Sequence, residues 1–415
     1  MIKGEINFPG DKSISHRALM IASLSLEKSN ITNLSDGIDV LTTKTCLEQC
    51  GINIKTNTTR SVSLKGGVFS DPVKQLNCGN SGTTVRLLIG LLASRKVNAT
   101  FFGDNSLSQR PMDRIVKPLS KMKLKIRSKN GKLPLIIDKS ELIGNNYKSR
   151  ISSAQVKSSF IFCSLGASSK SSYSEPIKSR DHTEIMLRSV GINIKSKGNE
   201  IFINKMDIHP HPLNIAVPGD PSTAAFFAAS AVLLPRSELV LNNILANPTR
   251  FEFFKVLDQM GAKMDCISIK NQGGEQVKDI KIKFGHLEAV KINDHQIPSL
   301  IDELPILAVV CTQAEGQTII KGAKELRVKE CDRIHAIVYN LRRMGVSVEE
   351  YDDGFSFRGP IKLRGAKIKT FNDHRIAMAF TVAGLIANGP TELDNEGCVA
   401  ISYPDFFNQL GILIK

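Results

Sequence analysis

The chain has 415 residues, 41% of them hydrophobic and 23% charged, and carries a formal net charge of +15. These proportions suit a globular protein, and the length exceeds what one ordinary core accommodates, so two domains are expected. No stretch of about 18 apolar residues occurs, which excludes a membrane-spanning helix of the usual kind.

The opening MIKGEINFPGDKS has no charged head followed by an apolar run, so no secretory signal is expected and the protein is placed in the cytoplasm. Six segments then follow one pattern, each opening on polar residues and continuing as a small, apolar helix. In chain order they are DKSISHRALMIASL (11–24), NSGTTVRLLIGLLA (80–93), SAQVKSSFIFCSLGA (153–167), GDPSTAAFFAASAVL (219–233), DELPILAVVCTQA (302–314) and NDHRIAMAFTVAGLIA (372–387). Each is apolar nearly all round after its first turn, which predicts burial. Each begins near an Asp, Asn or Ser that can cap the first backbone N–H groups.

A second series runs in step. CLEQCGINIK (46–55), MLRSVGINIK (186–195), VLDQMGAKM (256–264), LRRMGVSV (341–348) and FNQLGILIK (407–415) each read as a helix that ends at Gly and passes into a strand. A sixth copy, LSKMKLKI (119–126), has Lys123 in place of the Gly. The copies recur roughly every 65 to 85 residues, a period that points to repeated supersecondary units. Six units divide as three plus three, with a boundary near PLNIAVPG (212–219). The expected organisation is two similar domains, with a cleft between them as the ligand site. Polar helix starts facing such a cleft would offer it positive dipole ends, which suit phosphate and carboxylate.

The reactive side chains gather at these helix starts. Lys12, Ser13 and Arg17 open the first segment; Asn80, Gly82, Thr83 and Arg86 the second; Ser153 and Gln155 the third; Asp302 and Glu303 the fifth; Asp373, His374 and Arg375 the sixth. QRPMDR (109–114), SRDHTE (179–184), NPTRFEFF (247–254) and LRVKECDR (326–333) lead into the other helices and add further arginines. Arginine grips carboxylate and phosphate with two parallel hydrogen bonds, so several in one cleft would fit a highly anionic substrate pair. Asp302 and Glu330 are the acid–base candidates, since a carboxylate among cations stays ionised and can take a hydroxyl proton. Asp302 can equally be a plain helix cap. Lys12 can donate a proton if neighbouring arginine lowers its pKa.

Other signals are weaker. The eight cysteines are scattered without a CxxC pair and read as reduced, small core residues. KMKLKIRSK (121–129) alternates lysine with apolar residues, as a solvated strand face does. HPHP (209–212) reads as a loop between prolines rather than a metal site. With no Trp and only 5 Tyr, the stacking residues of a nucleic-acid binder are scarce, although composition alone leaves both small anions and nucleic acid open.

Seven motifs taken together carry a resemblance. PGDKSISHRA (9–18), GNSGTTVRL (79–87), QRPMDR (109–114), SAQVKS (153–158), SRDHTE (179–184), LRVKECDRI (326–334) and NDHRIAMA (372–379) resemble, in order, the signatures of the 5-enolpyruvylshikimate-3-phosphate synthase family, and span nearly the whole chain. The resemblance implies an α/β fold of two similar domains, each of three repeated βαβαββ-type units with buried helices and outer sheets, an inverse α/β barrel. It implies residues 10–217 as the N-terminal domain, residues 1–9 and 218–415 as the C-terminal domain, and an active site in the cleft between them. The implied reaction adds the 5-hydroxyl of shikimate 3-phosphate to C2 of phosphoenolpyruvate; the tetrahedral adduct then loses phosphate. This is a step of the shikimate pathway to aromatic amino acids.

By the same resemblance, Lys12, Ser13, Arg17, Ser153, Ala154 (through its backbone), Gln155, Arg180, Asp302 and Lys329 contact shikimate 3-phosphate. Lys12, Asn80, Gly82, Arg110, Gln155, Arg333 and Arg375 surround phosphoenolpyruvate, and Asp302, Glu330 and Lys12 are the catalytic set. No cofactor, metal, nucleic acid or membrane is implied, and the protein is expected to be a monomer. GDKS, SAQVK, RDHTE and NPTR resemble the subgroup with glyphosate-insensitive members, yet Gly82 stands where some of those carry Ala. Two further departures are Ile401, where some members have a phosphoenolpyruvate-binding lysine, and Glu325, where some have a substrate-binding Asn. The related transferase that acts on UDP-N-acetylglucosamine is a rival, but it usually has Lys-Asn where this chain has Lys12-Ser13. A basic RNA-binding or RNA-end-modifying protein is a second rival, which would explain the charge but not the motifs.

Overall fold

The computed structural model describes all of residues 1–415. The chain forms two compact units: an N-terminal unit of Gly10–Val217 with Gln272–Gly274, and a C-terminal unit of Met1–Pro9, Pro218–Asn271 and Glu275–Lys415.

In the N-terminal unit, three four-stranded sheets share one design. In the first, strand Ser29–Thr32 pairs parallel with Asn214–Ala216 and antiparallel with Ser61–Lys65, which pairs antiparallel with Asn53–Thr58. The second sheet repeats this with Leu76–Asn77, Ala99–Phe102, Lys132–Asp138 and Lys125–Lys129. The third repeats it with Asn146–Lys148, Ser171–Ser174, Glu200–Ile203 and Ile194–Lys197. The outermost strand Lys125–Lys129 has no buried residue, as its alternating lysines predict.

Inside lie the apolar helices Lys12–Ala22, Gly82–Ser94 and Ala154–Ser164. Burial follows from composition: every residue from Thr84 to Ser94 is buried, and Leu87 to Ala93 carry no polar side chain on any face. Gly90 lets two of these helices approach closely, since a Cβ there would overlap the Ser159 carbonyl.

The C-terminal unit repeats the plan with apolar helices Pro221–Leu233, Leu304–Cys311 and His374–Leu385. Its first sheet runs Lys3–Asn7, Glu238–Leu245, Glu275–Lys283, Lys263–Gln272, so the start of the chain supplies an edge strand. Its second runs Lys291–Ile292, Gly316–Ile320, Gly354–Gly359, Glu349–Tyr351. The third has two strands, Lys367–Ile368 and Glu392–Leu393.

The helix-ending glycines behave as the repeat demands. Gly51, Gly191, Gly261 and Gly345 have φ of 89°, 88°, 85° and 91°, the left-handed conformation that turns the chain out of a helix. Lys123, at the same place in its copy, adopts φ of 63° despite its side chain. The expectation fails at Gly411. The helix Phe406–Leu413 runs through it and no named strand follows, only an isolated bridge between Ile414 and Ile2. Five of the six helix-start caps form as read, at Asp11, Ser81, Ser153, Asp220 and Asp373; Asp11, for example, accepts from the Ile14 N–H at 2.7 Å and Ser81 from the Thr84 N–H at 3.2 Å.

Candidate active site

The residues singled out from the sequence fall into two groups, one in each unit. In the N-terminal unit they sit at or near the starts of the three buried helices, except Arg110, which ends the short helix Asn105–Gln109, and Arg180, which precedes the helix His182–Ser189. The caps fix these starts, and the first-turn N–H groups make each start electropositive.

Lys12 begins the first helix and donates to Asp39 Oδ2 at 2.8 Å. Ser13 follows, and its hydroxyl accepts from Arg180 Nη1 at 3.1 Å. Arg17, one turn on, is 2% exposed. It donates through Nε to Thr183 Oγ1 at 2.7 Å, through Nη2 to Ser158 Oγ at 2.8 Å, and through Nη1 to the Ser13 carbonyl at 2.9 Å. His16, fully buried beside them, is pushed well below its ordinary pKa by burial and by the charges of Lys12 and Arg17.

At the second helix start, Asn80 Oδ1 accepts from Arg110 Nη2 at 2.6 Å, and Asn80 Nδ2 donates to Asp104 Oδ2 at 2.8 Å. Gly82 is the first helical residue; a Cβ there would lie 3.0 Å from Arg86 Nη1 and 3.2 Å from Arg110 Nη1. Arg86 Nη1 donates to Gln155 Oε1 at 2.5 Å, and Gln155 Nε2 donates to Thr83 Oγ1 at 3.0 Å. These bonds join the second helix start to the third, where Ser153 caps a helix that opens on Ala154 and Gln155. Four arginines (Arg17, Arg86, Arg110 and Arg180), a lysine and three helix N-termini therefore gather in one unit, a strong setting for anions.

The second group lies in the C-terminal unit and centres on Arg333, 1% exposed. Its Nε donates to Asp373 Oδ2 at 2.7 Å and its Nη2 to Glu330 Oε2 at 2.6 Å, while its Nη1 lies 3.4 Å from Asp302 Oδ1. Burial alone would lower the Arg333 pKa, but Asp373, Glu330 and Asp302 outweigh it and raise it. Asp373 is fully buried; burial pushes its carboxyl up, and Arg333 more than offsets that, holding it below the ordinary value.

Asp302 is not a cap, since the helix starts at Leu304 and has no side-chain capping bond. Its carboxylate instead faces cations: Arg375 Nε at 3.6 Å, Arg250 Nη1 at 4.0 Å and Arg333. Arg375 Nη1 also donates to the Asp302 carbonyl at 3.0 Å. Lys329 is half-buried. Burial lowers its pKa, Asp302 pulls it back up, and the charge of Arg333 lowers it again; the net shift is downward.

Arg250 was visible in NPTRFEFF only as one more arginine. It is 2% exposed, bonds Asp220 and Ser222, and lies 3.8 Å from Glu303 Oε1, so it buttresses the turn that carries Asp302. Asp39 was missed altogether, because a carboxylate inside IDVLTTKTCLEQ gives no sign that Lys12 will reach it. Ile401 is half-buried in the 3-10 helix Gly397–Ile401, and Glu325 lies in the first turn of the 3-10 helix Lys324–Val328. His209 and His211 belong to no cluster of three or more His, Cys, Asp or Glu of the kind that holds a metal ion. No helix is long and apolar enough to cross a membrane.

Comparison with known proteins points to one family. The family model described as EPSP synthase (3-phosphoshikimate 1-carboxyvinyltransferase) matches residues 1–410. A 3-phosphoshikimate 1-carboxyvinyltransferase of Thermodesulfovibrio yellowstonii is 43% identical over 420 residues, covering 100% of this chain and 98% of the relative. One of Thermoanaerobacter sp. strain X514 is 42% identical over 418 residues, covering 99% and 98%. Among solved structures, EPSP synthase from Acinetobacter baumannii superposes with a TM-score of 0.88 at 37% identity, covering 99% of this chain and 96% of that one. The enolpyruvyl transferase NikO from Streptomyces tendae, at 17% identity and a TM-score of 0.77, shares the fold.

Proposed function

This chain belongs to the EPSP synthase (3-phosphoshikimate 1-carboxyvinyltransferase) family, and on that premise we propose how its two groups of residues divide the reaction. The enzyme transfers the enolpyruvyl group of phosphoenolpyruvate to the 5-hydroxyl of shikimate 3-phosphate and releases phosphate, by addition and elimination through a tetrahedral intermediate.

Asp302 takes the proton of the 5-hydroxyl as the oxygen attacks C2 of phosphoenolpyruvate, while C3 gains a proton. Elimination reverses the proton flow at C3: a proton leaves, the C2–C3 double bond returns, and the C2–O bond to phosphate breaks. The observation that carries this reading is the setting of Asp302, a half-buried carboxylate facing Arg333 and Arg375, which keeps it ionised and ready to accept.

Lys12 is suited to give the proton at C3, and Glu330, paired with Arg333 at 2.6 Å, to receive it. Arg333, Arg375, Arg110, Asn80, Gln155, Gly82 and Lys12 surround phosphoenolpyruvate. Lys12, Ser13, Arg17, Ser153, the Ala154 backbone, Gln155, Arg180, Asp302 and Lys329 hold shikimate 3-phosphate. The two substrates, each with a carboxylate and a phosphate, together carry about five to six negative charges, which accounts for so many cations in one protein.

The enzyme acts as a cytoplasmic monomer on small molecules, without nucleic acid or cofactor. Eight free cysteines, six of them buried, favour a reducing compartment, and one chain supplies every proposed contact. Thermal-shift measurements test the specificity. Shikimate 3-phosphate should raise the melting temperature, whereas UDP-N-acetylglucosamine and RNA should not. Stabilisation by the UDP-sugar alone would move the assignment to the sister transferase.

A further inference from the structure

Lys157 lies on the helix Ala154–Ser164, two residues beyond Gln155, and its side chain is 1% exposed. Its Nζ donates to Glu175 Oε1 at 2.9 Å, to the Ser179 carbonyl at 3.0 Å, and lies 3.0 Å from Glu184 Oε1. Both carboxylates are also 1% exposed. Burial alone would lower the lysine pKa, but the two carboxylates outweigh it and raise it, so Lys157 is charged at neutral pH. A buried ion cluster is a weak source of stability, because desolvation cancels most of the attraction. Two carboxylates for one ammonium make this cluster less favourable still, so its value lies in what it fixes.

It fixes the connection between strand Ser171–Ser174 and helix His182–Ser189. Ser179 is held by three atoms: its carbonyl by Lys157, its N–H by Glu175 Oε1 at 2.8 Å, and its hydroxyl by both Glu175 oxygens at 2.9 and 2.8 Å. The next residue is Arg180, half-buried, with Nη1 at 3.1 Å from Ser13 Oγ. Glu184 anchors the far side of the same connection from the following helix.

We propose that Lys157 is a positioning residue: acting through Ser179 and Glu175, it sets the backbone from which Arg180 reaches shikimate 3-phosphate. The proposal rests on the reading of Arg180 as a ligand of that substrate. Lys157 itself is too deeply buried to touch either substrate, and it ties the helix that carries Gln155 to the loop that carries Arg180.

A double-mutant cycle tests this, with steady-state constants for both substrates measured in the unmodified enzyme, Lys157→Met, Arg180→Ala and the double variant. Lys157→Met should raise the KM for shikimate 3-phosphate on the order of tenfold. The KM for phosphoenolpyruvate should stay within about twofold, and in the Arg180→Ala background Lys157→Met should add no further rise. A merely structural lysine predicts multiplying effects, or equal rises in both constants, and either result overturns the proposal. So does a folded Lys157→Met enzyme with an unchanged KM for shikimate 3-phosphate. If Arg180→Ala alone leaves that constant unmoved, the reading of Arg180 fails and the proposal falls with it, a different signature from failure of the cycle. Should Lys157→Met not fold, Ser179→Ala takes its place. It removes the hydroxyl anchor but keeps the ion cluster, and the same non-additivity with Arg180→Ala is required.

Discussion

Gly82→Ala would place a methyl group among the guanidinium groups of the second helix start. The new Cβ would lie 3.0 Å from Arg86 Nη1 and 3.2 Å from Arg110 Nη1, inside the 3.4 Å at which ordinary contact begins, so both must retreat by a few tenths of an ångström. Neither moves without consequence, because Arg86 is bonded to Gln155 at 2.5 Å and Arg110 to Asn80 at 2.6 Å. Charged hydrogen bonds contribute about 1.5–3 kcal/mol each, and loosening two of them partly should cost about 1–2 kcal/mol, or roughly five- to thirtyfold in affinity. The loss should fall on phosphoenolpyruvate, whose proposed contacts include Arg110, Gln155 and Asn80. Glyphosate, a longer competitor for the same space, should lose more. The assay is the Michaelis constant for phosphoenolpyruvate beside the inhibition constant for glyphosate, in both proteins. Equal rises, or movement in neither constant, would refute the idea that Gly82 sets the shape of this pocket.

Three further outcomes are expected. Asp302→Asn keeps the shape of the group but cannot accept a proton, so turnover should fall about 10²–10⁴-fold while the protein stays folded; near-normal turnover removes Asp302 from the mechanism. Asp373→Ala removes the one fully buried carboxylate that bonds Arg333, which keeps Glu330 and Asp302, and should cost about 1.5–3 kcal/mol in a denaturant titration. Because the folded Asp373 carboxyl lies below its ordinary 3.8, its contribution is complete above that pH and is lost as pH falls through the lower folded value. The variant should therefore lose that part of the acid-side slope. The Lys329 pKa is lowered from 10.5, so its charge is lost earlier as pH rises. The kcat/KM for shikimate 3-phosphate should fall on an alkaline limb below pH 10.5, and Lys329→Arg should move that limb upward; an unmoved limb assigns it to another group.

The parts of the fold legible in the sequence are those governed by local rules. Apolar helices with polar starts, the caps Asp11 and Ser81, and the turning glycines follow from neighbours within a few residues. Gly411 misled because a glycine permits a left-handed turn without requiring one, and here the helix continues to Leu413. Asp302 could not be told from a cap by sequence, since the difference is made by Arg333 and Arg375, each tens of residues away. Lys157 was hidden for the same reason. In SAQVKS it reads as a polar residue near a helix start, and nothing local announces that Glu175 and Glu184 will enclose it. Recurring motif order supplied what periodicity could not, namely which arginines to propose as substrate ligands.

The strand Lys3–Asn7 leaves the ribosome long before its partner, Glu238–Leu245. At about 5–20 residues per second, it must wait on the order of tens of seconds for that partner to be synthesised. Meanwhile Gly10–Val217 becomes available as one uninterrupted stretch and can collapse on its own schedule. The strand meanwhile remains a sticky edge, and the residues at its head alternate Lys3 and Glu5 on one face, charges that discourage pairing with the wrong neighbour. Both ends of the polypeptide finally meet, with the Lys415 N–H donating to the Met1 carbonyl at 3.0 Å. A fusion partner attached to either end would thus load the same corner of the molecule, and a permuted gene joining those ends would let the waiting strand be translated beside the helix that follows it in space.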